Sequence, residues 1–305
     1  MSVTLDRPKP FVLEARTSSR GAGSNPAMLA APLSIPVRAS APVGWQAPSL
    51  ARLRRVASPL LIILLWQAGA DLGLISTRMV ASPAAILSSF WTLTASGVLP
   101  QNLLVSLARV GVGLSIAIVA GTVLALASGL SRLGEDLVDA PLQMLRTMPH
   151  LALVPLFILW LGIGETPKIA LVALGAVFPI YLNLFAGIRG VDPRLVEAAG
   201  TLGLTRGELI RHVILPGALP SALVGLRYAV GVAWLSLVVG EQINADSGIG
   251  YLVMNARDFL QTDVIFDGLL VYAALGLLTD RLVRSLEIHL LAWRPALLDR
   301  VGVLG

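Results

Sequence analysis

Three arginines lie within or beside long apolar segments of this 305-residue chain: Arg109, Arg146 and Arg227. A charged side chain is costly inside a bilayer, so it tends to be functional or paired there. Each arginine is therefore a candidate contact along a polar path through a membrane. The alternatives are an internal ion pair, or a long side chain that reaches back to the membrane interface.

Groups that could carry out catalysis are not arranged for it. His150, His212 and His289 are far apart in sequence, without the carboxylate spacing of a metal site, so we expect them to make local hydrogen bonds. The chain has no cysteine, which excludes disulfides, thiolate metal ligands and cysteine nucleophiles. It has no Gly-Lys pair and hence no P-loop for a nucleotide. We predict no enzyme, no metal site and no cofactor.

The composition indicates a membrane protein. Hydrophobic residues make up 55% of the chain and charged residues 13%, whereas a soluble domain has about 45 to 50% and about 25%. The net charge of +5 would suit nucleic acid, but the basic residues do not cluster with aromatic residues on a polar face. We therefore expect membrane lipid, and no nucleic acid, around this protein.

A polar stretch, residues 191–220, separates two of the apolar segments. Asp192 can cap a helix whose first turn holds Pro193, where the missing N–H costs nothing. Gly200 and Gly203 weaken that helix where it should end. The stretch therefore begins with a short helix followed by a break.

A second short helix is predicted after the break. Thr205 and Glu208 have the spacing of a capping box, so a helix can start there and run to about His212, before Pro216. Pro216 would then form a rigid joint to the next apolar segment. We call residues 191–220 the elbow and predict that it docks on a partner. Its arginines are Arg194, Arg206 and Arg211.

The elbow resembles the EAA loop of ABC importer permeases. That motif is EAA, three residues, G, nine residues and I-x-L-P, and every spacing holds here, with Val213 in place of the usual Ile. In the family this loop is the coupling helix that fits a cleft on the cytoplasmic ATPase subunit. The resemblance implies the coupling role for Glu197, Ala198, Ala199, Gly203, Leu215 and Pro216.

Longer segments resemble one branch of that family, the permease subunits of aliphatic sulfonate importers. They are FWTLTASG at 90–97, QMLRTMPHLALVPLFILWLGIGE at 143–165, KIALVALGAVFPIYLN at 168–183, HVILPGALPS at 212–221 and SGIGYLVMNARDFLQTDV at 247–264. Permeases for taurine, nitrate and other small anions are similar, so those cargoes stay open. The resemblance implies transport by alternating access, with two ATPase subunits that hydrolyse ATP, a second copy of the permease and a periplasmic or lipid-anchored substrate-binding protein. Arg109, Arg146 and Arg227 would attract the anion if they face the path instead of the interface or an internal partner.

The apolar runs predict an all-α polytopic protein with about six membrane spans and the type I ABC importer permease fold. The predicted spans are residues 56–75, 110–131, 141–164, 169–188, 217–240 and 264–279. Pro149 and Pro155 break the third, after a short polar turn with Arg132, and Asp267 interrupts the sixth, which we expect to reach Arg284.

The chain divides into four predicted regions. They are a disordered N-terminal tail (1–50), the first span with an external amphipathic segment (51–101), the permease domain containing the elbow (102–293) and a C-terminal tail (294–305). Basic residues gather in the tails and the elbow, so the positive-inside rule places both termini in the cytoplasm and the protein in the inner membrane.

Two further features bear on the path. Small residues recur every fourth position in the second span: Gly113, Ala117, Gly121, Ala125 and Gly129. We expect this stripe to pack inside the subunit, the alternatives being that it lines the path or pairs two subunits. An external loop, residues 241–263, should shape the outer gate or contact the binding protein through Glu241, Asn244 and the turn at 247–250. Two other classes of protein are alternatives to a permease. A proton-coupled transporter would need a mid-membrane acidic or histidine relay, and an intramembrane enzyme would need a catalytic group beside a base. Neither arrangement is recognisable in the sequence.

Overall fold

The computed structural model describes residues 48–293, which form helices and contain no strand. The all-α prediction is therefore confirmed. The α-helices are α1 (Pro48–Asp71), α2 (Pro83–Ala95), α3 (Val98–Leu130), α4 (Arg132–Thr147), α5 (Val154–Leu161), α6 (Glu165–Arg189), α7 (Pro193–Thr201), α8 (Arg206–Leu209), α9 (Leu215–Asn244), α10 (Ile249–Asp258) and α11 (Thr262–Leu290). Most of the predicted N-terminal tail and the whole C-terminal tail, residues 294–305, lie outside this part of the chain.

Four stretches in the described part are long and apolar enough to cross a membrane: α3, α6, the continuous helix Arg206–Ile243 and α11. A fifth candidate is the pair formed by α4 and the segment His150–Leu161, which bend by 87° at their junction. The apolar part of α1, Ala57–Asp71, is shorter. About six spans are reached only when the broken pair and α1 are each counted as one.

The small-residue stripe on α3 packs inside the subunit, as predicted. A Cβ atom added at Gly113 would lie 2.6 Å from Val172 of α6, and one at Gly121 would lie 2.9 Å from Ile180. The same close approach recurs at Gly129. The stripe therefore lets α3 lie directly against α6, whose other side packs on α9.

The third span differs from its prediction in two ways. The expected polar turn at Arg132 is instead the start of α4, because the Ser131 side chain accepts a hydrogen bond from the Gly134 amide and caps a new helix. The break expected from Pro149 is present, since α4 ends at Thr147 and a 3₁₀ turn follows over His150–Leu153. The break expected at Pro155 is absent, because this proline lies in the first turn of α5, where proline is tolerated.

The two segments predicted to be external are also more helical than expected. The segment up to residue 101 includes α2 and the first turn of α3, which begins at Val98 instead of 110. The expected loop 241–263 contains the last residues of α9 and all of α10, which buries Ile249, Leu252 and Val253. These short amphipathic helices lack the long apolar runs that guided the prediction.

The last helix is longer than the predicted sixth span and includes Arg284. Asp267 does not interrupt it, because its carboxylate is fully buried and accepts a hydrogen bond from the Ser89 hydroxyl of α2. A buried acid in a span needs such a partner.

Candidate functional site

The first half of the elbow forms as the sequence predicts. The Asp192 side chain accepts a hydrogen bond from the Arg194 amide at the start of α7. At the other end of the helix the Leu204 amide donates to the Ala199 carbonyl, and the Gly203 amide donates to the Gly200 carbonyl. These two bonds form a Schellman motif, which requires a left-handed residue at Gly203, where φ is +78°.

The second half of the elbow begins as predicted but does not stop where expected. The Thr205 side chain and the Glu208 carboxylate form the predicted capping box. The helix then continues through a π turn, Ile210–Ile214, directly into α9. The prediction that it ends before Pro216 is wrong, because a π turn re-registers the backbone just where the proline lacks an N–H.

The structure exposes most of the predicted coupling residues on one short hairpin. Glu197, Ala198 and Gly203 are exposed, Leu215 is partly exposed, and Ala199 is buried. Two exposed leucines of the elbow, Leu195 and Leu202, were not among the predicted residues. Their signal in the sequence is an apolar side chain in an otherwise polar connection. Leu202, 79% exposed beside the left-handed glycine, forms the tip.

A second polar centre lies at the opposite ends of the helices that the elbow joins. Arg109 of α3 is 2% exposed and uses all five N–H donors. Its Nε and Nη2 donate to the two carboxylate oxygens of Glu165, at 2.5 and 2.7 Å. Its Nη1 donates to Glu241 at 2.6 Å, and Nη1 and Nη2 also donate to Ser247.

Glu241, at the end of α9, is the buried acceptor of this centre. Its carboxylate is 0% exposed beside Arg109 and accepts further hydrogen bonds from Ser106, the Gly250 amide and Tyr272. No side chain fits at Gly248, because an added Cβ would lie 2.3 Å from a Glu241 oxygen. We call Ser106, Arg109, Lys168, Glu165, Glu241, Ser247 and Tyr272 the polar cluster.

The polar cluster connects four long helices and the turn before α10. It lies at the first residue of α6 and the end of α9, roughly 35 Å along α6 from the elbow at 1.5 Å per residue. Arg109 is thus paired internally, which is one of the alternatives that the sequence left open. Glu241 and the 247–250 turn, predicted to act together, do lie together.

The other two predicted path arginines lie elsewhere. Arg146 is exposed in the last turn of α4. Arg227 of α9 faces α11, with Nε 3.0 Å from an Asp280 oxygen and Nη2 3.8 Å from a Glu287 oxygen. A cavity of about 250 Å³ lies beside Arg227 and is also lined by Trp234. The three arginines therefore do not form one site.

Comparison with known proteins identifies the architecture. Residues 117–290, more than half of the chain, match the family model described as the binding-protein-dependent transport system inner membrane component. A solved structure described as an amino acid ABC transporter with histidines has a TM-score of 0.51 and 20% identity, and the match covers 67% of this chain and 96% of that one. This second likeness concerns the fold alone.

Curated relatives are much more similar in sequence. The aliphatic sulfonates transport permease protein SsuC of Escherichia coli is 53% identical over 238 residues, 78% of this chain and 90% of the relative. SsuC of Bacillus subtilis is 46% identical, over 77% of this chain and 86% of the relative. The taurine transport system permease protein TauC of E. coli is 36% identical, over 76% of this chain and 86% of the relative.

Proposed function

Because the chain belongs to the family of binding-protein-dependent transport inner membrane components, we propose that it is the subunit through which aliphatic sulfonates enter the cell. The membership predicted from the EAA spacing is confirmed, and the chain is a multi-pass inner-membrane ABC importer permease, not an enzyme. The observation that carries the sulfonate assignment is the 53% identity to SsuC over 90% of that protein.

Taurine is the second candidate cargo. The taurine permease is similar over nearly the same length, although its identity is 36% against 53% for SsuC. Both cargoes carry a sulfonate group, so a path that accepts one head group suits the other. The two differ in that taurine also carries an ammonium group. Competition between them in one assay can therefore decide the assignment.

The elbow is the proposed contact with the ATP-hydrolysing subunits. Glu197 and Ala198 are exposed on α7, and Leu202 stands at the hairpin tip, so a cleft on a partner could enclose them. The second half of the elbow is continuous with α9, so a push on the hairpin is transmitted along a helix of 38 residues, Arg206–Ile243. Movement of the partner would thus reach the polar cluster at the far end of α9.

The proposed assembly follows the family. Two ATP-binding subunits dock on the elbows of two permease copies, and a substrate-binding protein delivers the anion on the other side. Basic residues in the elbow and both terminal regions support a cytoplasmic elbow with cytoplasmic termini. The polar cluster then lies at the outer ends of the spans. The anion crosses by alternating access, which requires different affinity for it in the two states.

Transport by the reconstituted assembly tests this function. Vesicles containing this subunit, its ATPase and its binding protein are supplied with a labelled alkanesulfonate, with and without ATP. We expect ATP-dependent uptake that excess taurine or nitrate does not reduce. Uptake dominated by taurine or nitrate would assign that anion as the cargo in place of alkanesulfonates. Uptake independent of ATP would refute coupling between transport and ATP hydrolysis.

A substitution at Gly203 tests the role of the elbow separately. Gly203→Leu places a bulky residue at φ +78° on the hairpin, so we expect ATP hydrolysis to continue while uptake is lost. Gly97→Leu is the matched control, because Gly97 has φ +80°, open space around it and a position far from the elbow in sequence. Equal uptake by the Gly203 and Gly97 variants would exclude the elbow as the coupling element.

A further inference from the structure

We propose that Arg109 and Lys168 form an anion subsite of the transport path, which Glu165 occupies in this conformation in place of the substrate's anionic head group. The inference rests on the proposed function of the chain as an anion permease. It names the groups that receive the sulfonate at the end of the spans remote from the elbow.

Exposure separates Glu165 from the other charged members of the polar cluster. Its side chain is 52% exposed, whereas Arg109 and Lys168 are 2% and 4% exposed. Glu241 is fully buried. A half-exposed carboxylate regains water when it leaves, so its departure costs far less than that of a buried one. Glu165 is thus the removable member of the cluster.

The contacts of Glu165 match those that a sulfonate would require. Two parallel N–H donors of Arg109 bind the two carboxylate oxygens of Glu165, at 2.5 and 2.7 Å. The Lys168 ammonium donates to one of these oxygens at 3.2 Å. This paired arrangement suits any anion with two adjacent oxygens, and a sulfonate offers three. Arg109 keeps its bonds to Glu241 and Ser247 when Glu165 leaves, so the guanidinium stays oriented.

The charges favour an anion at this place. Within the polar cluster, Arg109 and Lys168 balance Glu165 and Glu241. The neighbouring Asp246, which accepts a hydrogen bond from Ser247 at 3.3 Å, is exposed to water. Departure of Glu165 leaves one positive charge in excess. Arg227 instead faces both Asp280 and Glu287, which leaves a negative excess there and disfavours an anion.

Two glycines with positive φ angles precede Glu165 and allow the backbone there to rotate. Glu165 is the first residue of α6 and follows Gly162 and Gly164, whose φ angles are +78° and +149°. An apolar crevice beside Lys168 is lined by Phe157, Ile158 and Leu171, among others, and has a volume of about 10 Å³, close to that of one water. It is closed to an alkyl chain here. Rotation at the glycines that removes Glu165 would widen the side of the subsite that an aliphatic tail needs.

Binding without the substrate-binding protein tests this subsite directly. The permease with its ATPase subunits is placed in nanodiscs, and binding of radiolabelled butanesulfonate is measured for the wild type and for Glu165→Gln. Loss of the competing carboxylate should tighten binding at least tenfold. The double variant Glu165→Gln with Lys168→Gln should lose that gain. Glu135→Gln is the matched control, since Glu135 is a similarly exposed carboxylate paired with Arg189.

Each outcome decides the proposal. Binding to Glu165→Gln that is undetectable, or no tighter than to the wild type and to Glu135→Gln, overturns it, as does a double variant that keeps the full gain. Size-exclusion profiles of all variants identify any loss of assembly, and Glu165→Ala repeats the test with a different side chain. ATP-dependent uptake by the wild-type assembly is measured in parallel. Uptake without tighter binding rejects the subsite and keeps the permease function, whereas absent uptake rejects the function.

Discussion

Replacing Glu241 by glutamine should destabilise the protein far more than the same change at an exposed ion pair. Glu241 is 0% exposed, and its carboxylate faces donors from Ser106, Arg109, Gly250 and Tyr272. An amide would turn an NH₂ group toward one of these donors and leave the Arg109 charge without its buried partner. Breaking a buried pair in this way costs about 3 to 5 kcal/mol.

That free energy corresponds to a large change in melting temperature. At roughly 2 to 4 °C per kcal/mol for a chain of this size class, the Tm should fall by about 6 to 20 °C. Glu135→Gln makes the same chemical change in a pair whose side chains are 40% and 42% exposed. Such surface pairs contribute below about 1 kcal/mol, so its Tm should fall by less than about 4 °C.

Thermal unfolding of the purified complex in detergent, followed by intrinsic fluorescence, measures both variants. A double-mutant cycle with Arg109→Gln then isolates the coupling between Arg109 and Glu241. Equal Tm values for Glu241→Gln and Glu135→Gln would refute the view that the polar cluster holds the helix ends together. A cycle without coupling would show that Glu241 acts through its other partners.

Two further predictions concern helix packing. Gly121→Leu should cost about 1 to 3 kcal/mol of stability, because the added side chain meets Ile180 of α6. The control Gly111→Leu, on an open side of α3, should cost almost nothing. Similar Tm values for the two variants would contradict the α3–α6 contact. Ser89→Ala should cost about 1 to 3 kcal/mol of stability, because it removes the hydroxyl that donates to buried Asp267. Its control in the same unfolding assay is Ser88→Ala, which alters an exposed hydroxyl of the same helix.

Local interactions explain why much of the elbow could be predicted. The Asp192 cap spans two residues and the capping box of Thr205 spans three, so the residues that make each contact are neighbours in sequence. The left-handed turn at Gly203 is likewise set by the glycine itself. Only the end of the second helix was mispredicted, because the π turn before Pro216 depends on a one-residue change of backbone register that no side chain signals.

Long apolar runs and the small-residue stripe could also be predicted from the sequence, since both are properties of a single helix. The length of α3 and the four-residue spacing of its glycines indicate a membrane span with one face for close packing. The stripe does not indicate which helix packs on that face, and the structure shows that it is α6. The short amphipathic helices, such as α10, were missed because they are stabilised by packing on α9 and α11 and not by their own composition.

The sequence by itself indicated the family, the cores of the long spans and the start of each short helix of the elbow, because these depend on spacing within one segment. It could not decide among the roles open to Arg109, since that choice depends on residues 56 and 132 positions away, Glu165 and Glu241. Only the tertiary structure brings the start of α6 and the end of α9 against Arg109 of α3, buries one carboxylate and leaves the other half exposed. Burial sets the cost of separating charges, and burial is a property of the packed fold.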